Sequence, residues 1–329
     1  MAGLYAFLPY YRSGNFELYF ELLLAIAPAL VLLSVPYVVL VDRYMRDPHD
    51  ENWHFGMLAL GHVAAADMAA CRRHVLNYAI KGFFLAFIFH VFSARSSYMF
   101  SLGVGGMFSD PRAFYIAAIE IIYYVDIVFA TIGYALTLKI FGAQIRSPNF
   151  LLLGWVAALA CYPPFSVMGG DRMVSYASGP EWQMLVPVDS ALGTGLIAAI
   201  VGLTVIYSWA TVAFGIRFSN LTHRGIITNG PYALTKHPAY IAKNLSWWLV
   251  YLPFLPVLGV RQAVGGCLSL LIVNGIYYVR AKTEEAHLME DPTYRAYAAY
   301  IAVHGLFARL SRLAGGMLRP PVGRPAAKP

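Results

Sequence analysis

The sequence predicts an all-α fold, a polytopic transmembrane helix bundle of about seven spans ending in a C-terminal helical hairpin with a polar base. Three observations predict it. The 329 residues are 59% hydrophobic and only 12% charged, about half the charge of a soluble domain. Aromatic residues make up 15%, which suits a chain with many side chains at lipid–water boundaries. Several apolar runs approach the roughly 20 residues needed to cross a bilayer.

Taken in order, the runs place spans near 17–41, 75–93, 114–139, 150–168, 191–214, 245–259 and 262–279. The sixth and seventh are short and separated by a tight break at 259–261, so they read as a hairpin. Pro253 and Pro256 kink or end the sixth, a break tolerated at membrane depth where the freed backbone faces protein or a cavity. Between the first two spans, 51–74 holds only twelve continuous apolar residues, bracketed by acids and basic pairs, and reads as an interfacial or re-entrant helix.

Counting Lys and Arg along this topology gives eighteen on the side of the C-terminus and five on the other. The excess makes the first side cytoplasmic and the N-terminus external; the plasma membrane is taken as the default location. The same count explains the net charge of +7 without a nucleic-acid partner. The final stretch LRPPVGRPAAKP is Pro-rich and basic and reads as disordered. Three dispersed cysteines give neither a disulfide framework nor a metal spacing, and no metal is expected from the spacings of His54, His62 and His74.

Polar chemistry gathers in two stretches. The first is GPYALTKHPAYIAKN, from Gly230. Asn229-Gly230-Pro231 is turn chemistry. Pro238 suits a first helical position, and the residue before it avoids helical geometry, so a helix starts at Pro238 with His237 as N-cap. The start of a helix favours a carboxylate or phosphate, and Lys236 adds a cation beside it. His237, Tyr240 and Asn244 share one face of that helix. An ordinary juxtamembrane loop with a basic residue and interfacial tyrosines would look similar. The second stretch is VRAKTEEAHLMEDPTYRAYAAY. Arg280, Glu284 and His287 fall on one helical face, and a hairpin would bring them back beside His237. Alone, Glu284-Glu285 would read as a solvated charged face.

With both stretches in view, the chain resembles the isoprenylcysteine carboxyl methyltransferase family and the related phospholipid N-methyltransferases. The matching residues are Gly230-Pro231-Tyr232, Lys236-His237-Pro238-Ala239-Tyr240, Arg280, Glu284-Glu285-x-x-Leu288 and Pro292-x-Tyr294-x-x-Tyr297. They run from about Arg217 to Tyr300. The resemblance implies an S-adenosylmethionine site at the cytoplasmic ends of the last helices, with a lipid or prenylated acceptor entering from the bilayer. It implies cofactor contacts at Gly230, Pro231, Tyr232, Lys236, His237, Pro238, Tyr240, Glu284 and Glu285. It implies catalytic roles for Arg280, which would orient the acceptor's polar head, and for Glu284. Asp291-Pro292 stands where the family has Phe-Gly. The division that follows is 1–190 as N-terminal helices with a lipid cavity, 191–305 as the methyltransferase-like core, and 306–329 as a basic tail.

Two other function classes stay open at this point. One is a membrane reductase using NADPH on a sterol-like or isoprenoid double bond, although the chain lacks the Arg-Asp-Glu and Cys-x-x-Lys-Tyr-Gly ending of such enzymes. The other is a non-enzymatic carrier. Ionisable residues inside spans, Lys81, His90, Glu120 and Asp126, read either as a polar acceptor pocket or as a buried Lys81–Asp126 or Lys81–Glu120 pair fixing helix packing.

Overall fold

The computed structural model describes residues 5, 7–45, 47–101, 108–168, 173–177 and 180–317. The chain is mostly helical. In order come α1 (Glu17–Tyr44), α2 (Glu51–Ala59), α3 (Met68–Ser101), α4 (Pro111–Ala135), β1 (Ser147–Pro148), α5 (Leu152–Leu159), α6 (Trp182–Leu185), α7 (Ala191–Phe214), β2 (Thr222–His223), α8 (Pro238–Tyr251), α9 (Val260–Leu288), α10 (Pro292–His304) and α11 (Leu306–Met317). The tail at 318–329 lies outside the described residues.

Helix starts follow their sequence signals. Asp110 accepts from the backbone N–H groups of Arg112 and Ala113 at 2.9 Å each, with Pro111 in the first turn of α4. Asp291 does the same for α10, accepting from Thr293 N–H at 2.7 Å ahead of Pro292. Asp50 caps α2 and Ser190 caps α7.

Five helices, α1, α3, α4, α7 and α9, are long and apolar enough to cross a membrane, where the sequence suggested seven spans. Two expected spans differ. The apolar run at 150–168 forms only the eight-residue α5. The Pro163-Pro164 pair cannot continue a helix, and the chain goes on as irregular backbone. The sixth run becomes the fourteen-residue α8, starting at Pro238 and stopping before Pro253. The 51–74 stretch is the nine-residue α2 and a short turn leading into α3, in keeping with a helix too short to cross.

The packing shows why α5 is followed by irregular chain. Tyr115 near the start of α4 packs on Trp182, in a cluster with Leu196 and Ile197 of α7. Further along, Tyr207 of α7 donates to Asp126 of α4 at 2.9 Å. The two helices therefore run in the same direction, and the chain between them must return. It does so along α9 and α8: Asn149 donates to Thr283 O at 3.3 Å, Met168 packs with Val273 and Tyr277, and Tyr176 packs on Trp247 and Tyr251. Irregular backbone at such depth is tolerated where protein surrounds it.

An aromatic-rich core joins the N-terminal turns to α3 and α4, with Tyr11, Phe16, Phe84 and Tyr134 almost fully buried. The intramembrane charges do not pair as the sequence suggested. Lys81 donates to Thr137 Oγ1 at 2.6 Å. Glu120 is bound by Arg95, and Asp126 by Tyr207. His90 packs on Phe16.

Candidate active site

The α8–α9 hairpin brings the two polar stretches together. His237 is the N-cap residue of α8, but its side chain makes no capping bond. The ring crosses instead to α9, where Nε2 lies 3.1 Å from Glu285 Oε1 and Nδ1 lies 3.9 Å from Glu284 Oε2. Lys236 Nζ is 2.8 Å from Glu285, and Lys282 Nζ is 3.1 Å away on its other oxygen. Tyr240, one turn into α8, donates its hydroxyl to Glu284. Asn244 shares the face of α8 that His237 and Tyr240 turn to α9, as its spacing predicted, but lies beyond the cavity lining. It turns to α9, accepting from Asn274, which also accepts from the Trp248 indole at 3.0 Å.

The two glutamates therefore differ. Glu285 is ringed by three cationic or protonatable groups and braces Lys236 and His237. Glu284 lines a cavity of roughly 1230 Å³, open mouth included, large enough for a cofactor-sized ligand. Arg280, Glu284 and His287 all line that cavity, as their helical spacing predicted. So do Tyr232, Lys236, His237 and Tyr240.

Arg280 is 3% exposed. Nη2 donates to Asn220 Oδ1 at 2.9 Å and sits 3.8 Å from Glu284 Oε1. The guanidinium lies 5.0 Å from the centre of the Tyr240 ring, 5.5 Å from Tyr277 and 5.7 Å from Tyr162, so aromatic faces share in offsetting its charge. Its Nε has no partner among the described residues.

The 230–235 turn is fixed from two sides. Gly230 has φ +57°, and a Cβ there would come within 3.3 Å of the Trp209 ring. Pro231 and Tyr232 are buried. Tyr297 of α10 donates to Tyr232 O at 2.8 Å, and Leu306 N–H, at the start of α11, donates to Leu234 O at 2.7 Å. Pro238 is buried at the first turn of α8. Burial pushes the Tyr294 and Tyr297 hydroxyls up, so both are neutral, and Tyr297 is the donor.

Sequence reasoning missed a polar floor beneath this site. Asn220 accepts from Arg280, donates its side-chain amide to the Tyr134 hydroxyl at 3.1 Å, and its backbone N–H reaches the same hydroxyl at 2.7 Å. Arg224 is 3% exposed and, among the described residues, has no carboxylate partner. It donates to the carbonyls of Gly133, Ala143, Ile216 and Phe218, binding the C-terminal end of α4 as a cation should. Burial pushes its pKa down to about 10, so it stays charged at neutral pH. Antiparallel pairing of β1 with β2 holds the floor in register, Ser147 opposite His223. Ser147 Oγ then meets His287 Nε2 at 2.9 Å. The signal available in sequence was a polar run, Ser219-Asn220, between apolar helices.

The polar groups stand at one end of a helical hairpin within a bundle of apolar helices. Residues 191–290 match the model of the isoprenylcysteine carboxyl methyltransferase (ICMT) family. The match covers α7, α8 and α9, including every hairpin residue described above, and less than a third of the chain. It supports a membrane methyltransferase. No curated protein and no solved structure matches the chain.

Proposed function

We propose that this protein is an integral-membrane, S-adenosylmethionine-dependent methyltransferase acting on a carboxylate or amine of a lipid or prenylated acceptor. The observation that carries this reading is the meeting of Lys236, His237 and Tyr240 with Glu284 and Glu285 at one cavity, inside the matched region.

The residues present fit such a cofactor. Its carboxylate suits Lys236, His237 and the open N–H groups at the start of α8, with Gly230, Pro231 and Tyr232 as the backbone wall. Its ammonium suits Glu284, whose carboxylate lines the cavity and has no lysine on it. Its sulfonium suits the faces of Tyr240 and Tyr277. When bound, the cofactor supplies an electrophilic methyl group.

The chain's own work is alignment and exclusion of water. Arg280 orients the acceptor's polar head from the cavity wall, and its unpartnered Nε offers a further donor. A carboxylate acceptor needs no base. An amine must first lose a proton, and Glu284 is the carboxylate positioned to take it. Glu285 acts by holding Lys236 and His237 in place. In this reading 191–305 is the catalytic core and 306–329 a basic tail. The segment 1–190 supplies the remaining lipid-facing helices together with Asn149 and Tyr162 of the cavity wall. The cavity faces the cytoplasm across the plasma membrane, with the N-terminus outside. Neither the NADPH reductase nor the carrier draws support from the family match.

Calorimetric titration of the detergent-purified chain with S-adenosylhomocysteine, with NADPH in parallel, tests the reading. Saturable binding of the first and none of the second is expected. Binding of NADPH alone overturns it.

A further inference from the structure

A second large cavity lies away from the hairpin, between the last third of α1, the start of α2, α3 and the turn after α4. With its opening it measures about 1480 Å³, more than the candidate active site. One wall is Tyr37, Val38 and Val41 of α1, with Asp42 following them. In all of α1 only Tyr19 is buried, and Leu30, Val31 and Leu33 are more than half exposed, so this wall is a helix standing in hydrocarbon.

The opposite wall is polar, and its charges are unevenly matched. Asp50 is bound by Lys139. Glu51 accepts from Asn77 Nδ2 at 2.8 Å. Among the described residues Lys81 meets only the Thr137 hydroxyl, at 2.6 Å, and no carboxylate. A lysine within a span and without an ionic partner is costly, and such residues face a ligand or a cavity. Three acceptor or ring atoms around it are buried without a partner: Asn77 Oδ1, Gln144 Oε1 and His74 Nδ1. Asn77 itself is only 5% exposed. Buried polar groups of this kind are normally satisfied.

We propose that this cavity is a binding site for an anionic glycerophospholipid with a hydroxyl-bearing head. The phosphate is held by Lys81, head-group hydroxyls donate to Asn77 and Gln144, and an acyl chain lies along α1. Glu51 in the same cavity disfavours a second negative charge on the head, so a monoanionic phosphodiester such as phosphatidylglycerol is preferred over phosphatidic acid. The site stands apart from methyl transfer and does not depend on it.

The test uses the full chain in nanodiscs of phosphatidylcholine with a minor fraction of phosphatidylglycerol. The chain is moved to a neutral detergent, and retained lipid is read by native mass spectrometry. Phosphatidylglycerol is expected to be retained well above its share of the nanodisc. Lys81→Met is expected to lower retention about tenfold, the scale of one charge-assisted hydrogen bond. Val38→Trp fills the apolar side without touching a charge and is expected to do the same, which keeps the test usable if Lys81→Met does not fold. Retention unchanged in Val38→Trp, phosphatidylcholine or phosphatidic acid held as firmly as phosphatidylglycerol, or release of the lipid by inorganic phosphate each overturns the proposal.

Discussion

Glu284→Gln is the most informative single change. The substitution removes one negative charge from the cavity and little else. Tyr240 still finds an acceptor, because a glutamine carbonyl can take its hydroxyl. Arg280 keeps its bond to Asn220 and its three ring contacts. The fold is therefore expected to survive. What disappears is the charge available to a ligand ammonium. A hydrogen bond to a charged group contributes about 1.5–3 kcal/mol, so S-adenosylhomocysteine affinity should fall roughly ten- to a hundredfold. Calorimetry measures this directly, and a thermal melt beside it shows whether folding was spared. Glu285→Gln supplies the contrast. That carboxylate holds Lys236, His237 and Lys282, so its loss should lower the melting temperature and the affinity together. A Glu284→Gln protein that melts normally and binds within about twofold of wild type would refute the assignment of Glu284 to the ammonium.

Four further outcomes follow from the geometry. Gly230→Ala puts a side chain at φ +57° with its Cβ 3.3 Å from Trp209, which should cost about 1–2 kcal/mol in stability by thermal unfolding and weaken donor binding. Gly305→Ala brings a Cβ within 2.5 Å of Ile301 O and 3.0 Å of Leu234 O, so it should break the Leu306–Leu234 bond, read as faster proteolysis in the 230–237 turn. Asn220→Ala leaves Arg280 and Tyr134 without their shared partner and should cost about 1–3 kcal/mol, measured by denaturant or thermal melts. His223 lies 3.3 Å from Asp291, yet burial holds its pKa below the usual histidine range. The unfolded chain then binds the proton more readily, so stability present above the ordinary histidine pKa should decline as pH falls through it, and His223→Asn should flatten that decline in melts across pH.

How far the sequence could be read depended on the range of the interaction. Local signals carried well. Pro238 starts a helix because its ring fits a first turn, and the spacing of Arg280, Glu284 and His287 put them on one face because α9 continues unbroken to Leu288. The hairpin itself followed from two apolar runs and a short break. Apolarity misleads at 150–168, where Leu152, Leu153 and Val156 are more than half exposed and only the small residues of α5 are buried, and the Pro163-Pro164 pair is the local signal against a span. Pairing of Lys81 with Glu120 or Asp126 could not be settled from order alone. It required knowing that α4 and α7 run in the same direction, which gives Asp126 to Tyr207 and leaves Lys81 to Thr137.

The floor of the site shows why its buried cations do not cancel its one useful charge. Among the described residues the cavity is lined by Arg217, Arg224, Lys236, Lys243 and Arg280 against Glu284. Had each arginine been neutralised by an acid, the cavity would be crowded with carboxylates and a cationic donor would have no preferred seat. Arg224 is instead satisfied by backbone carbonyls at a helix end, and Lys243 rests on the faces of Tyr207, Trp247 and Tyr277. Arg280 is divided between an amide oxygen and three tyrosine rings, with Glu284 only at 3.8 Å. Lys236 is taken by Glu285, outside the cavity lining. Four of these five cations are thus held by neutral groups or from behind, which in the proposed reading leaves Glu284 to a ligand. Replacing Asn220 with Asp tests this arrangement. A carboxylate there would draw Arg280 further from Glu284 and add a second acid beneath the cavity, and donor affinity measured by calorimetry should change while that of Asn220→Ser should not. Equal affinities in the two variants would mean that the charge of the floor has no bearing on the seat at Glu284.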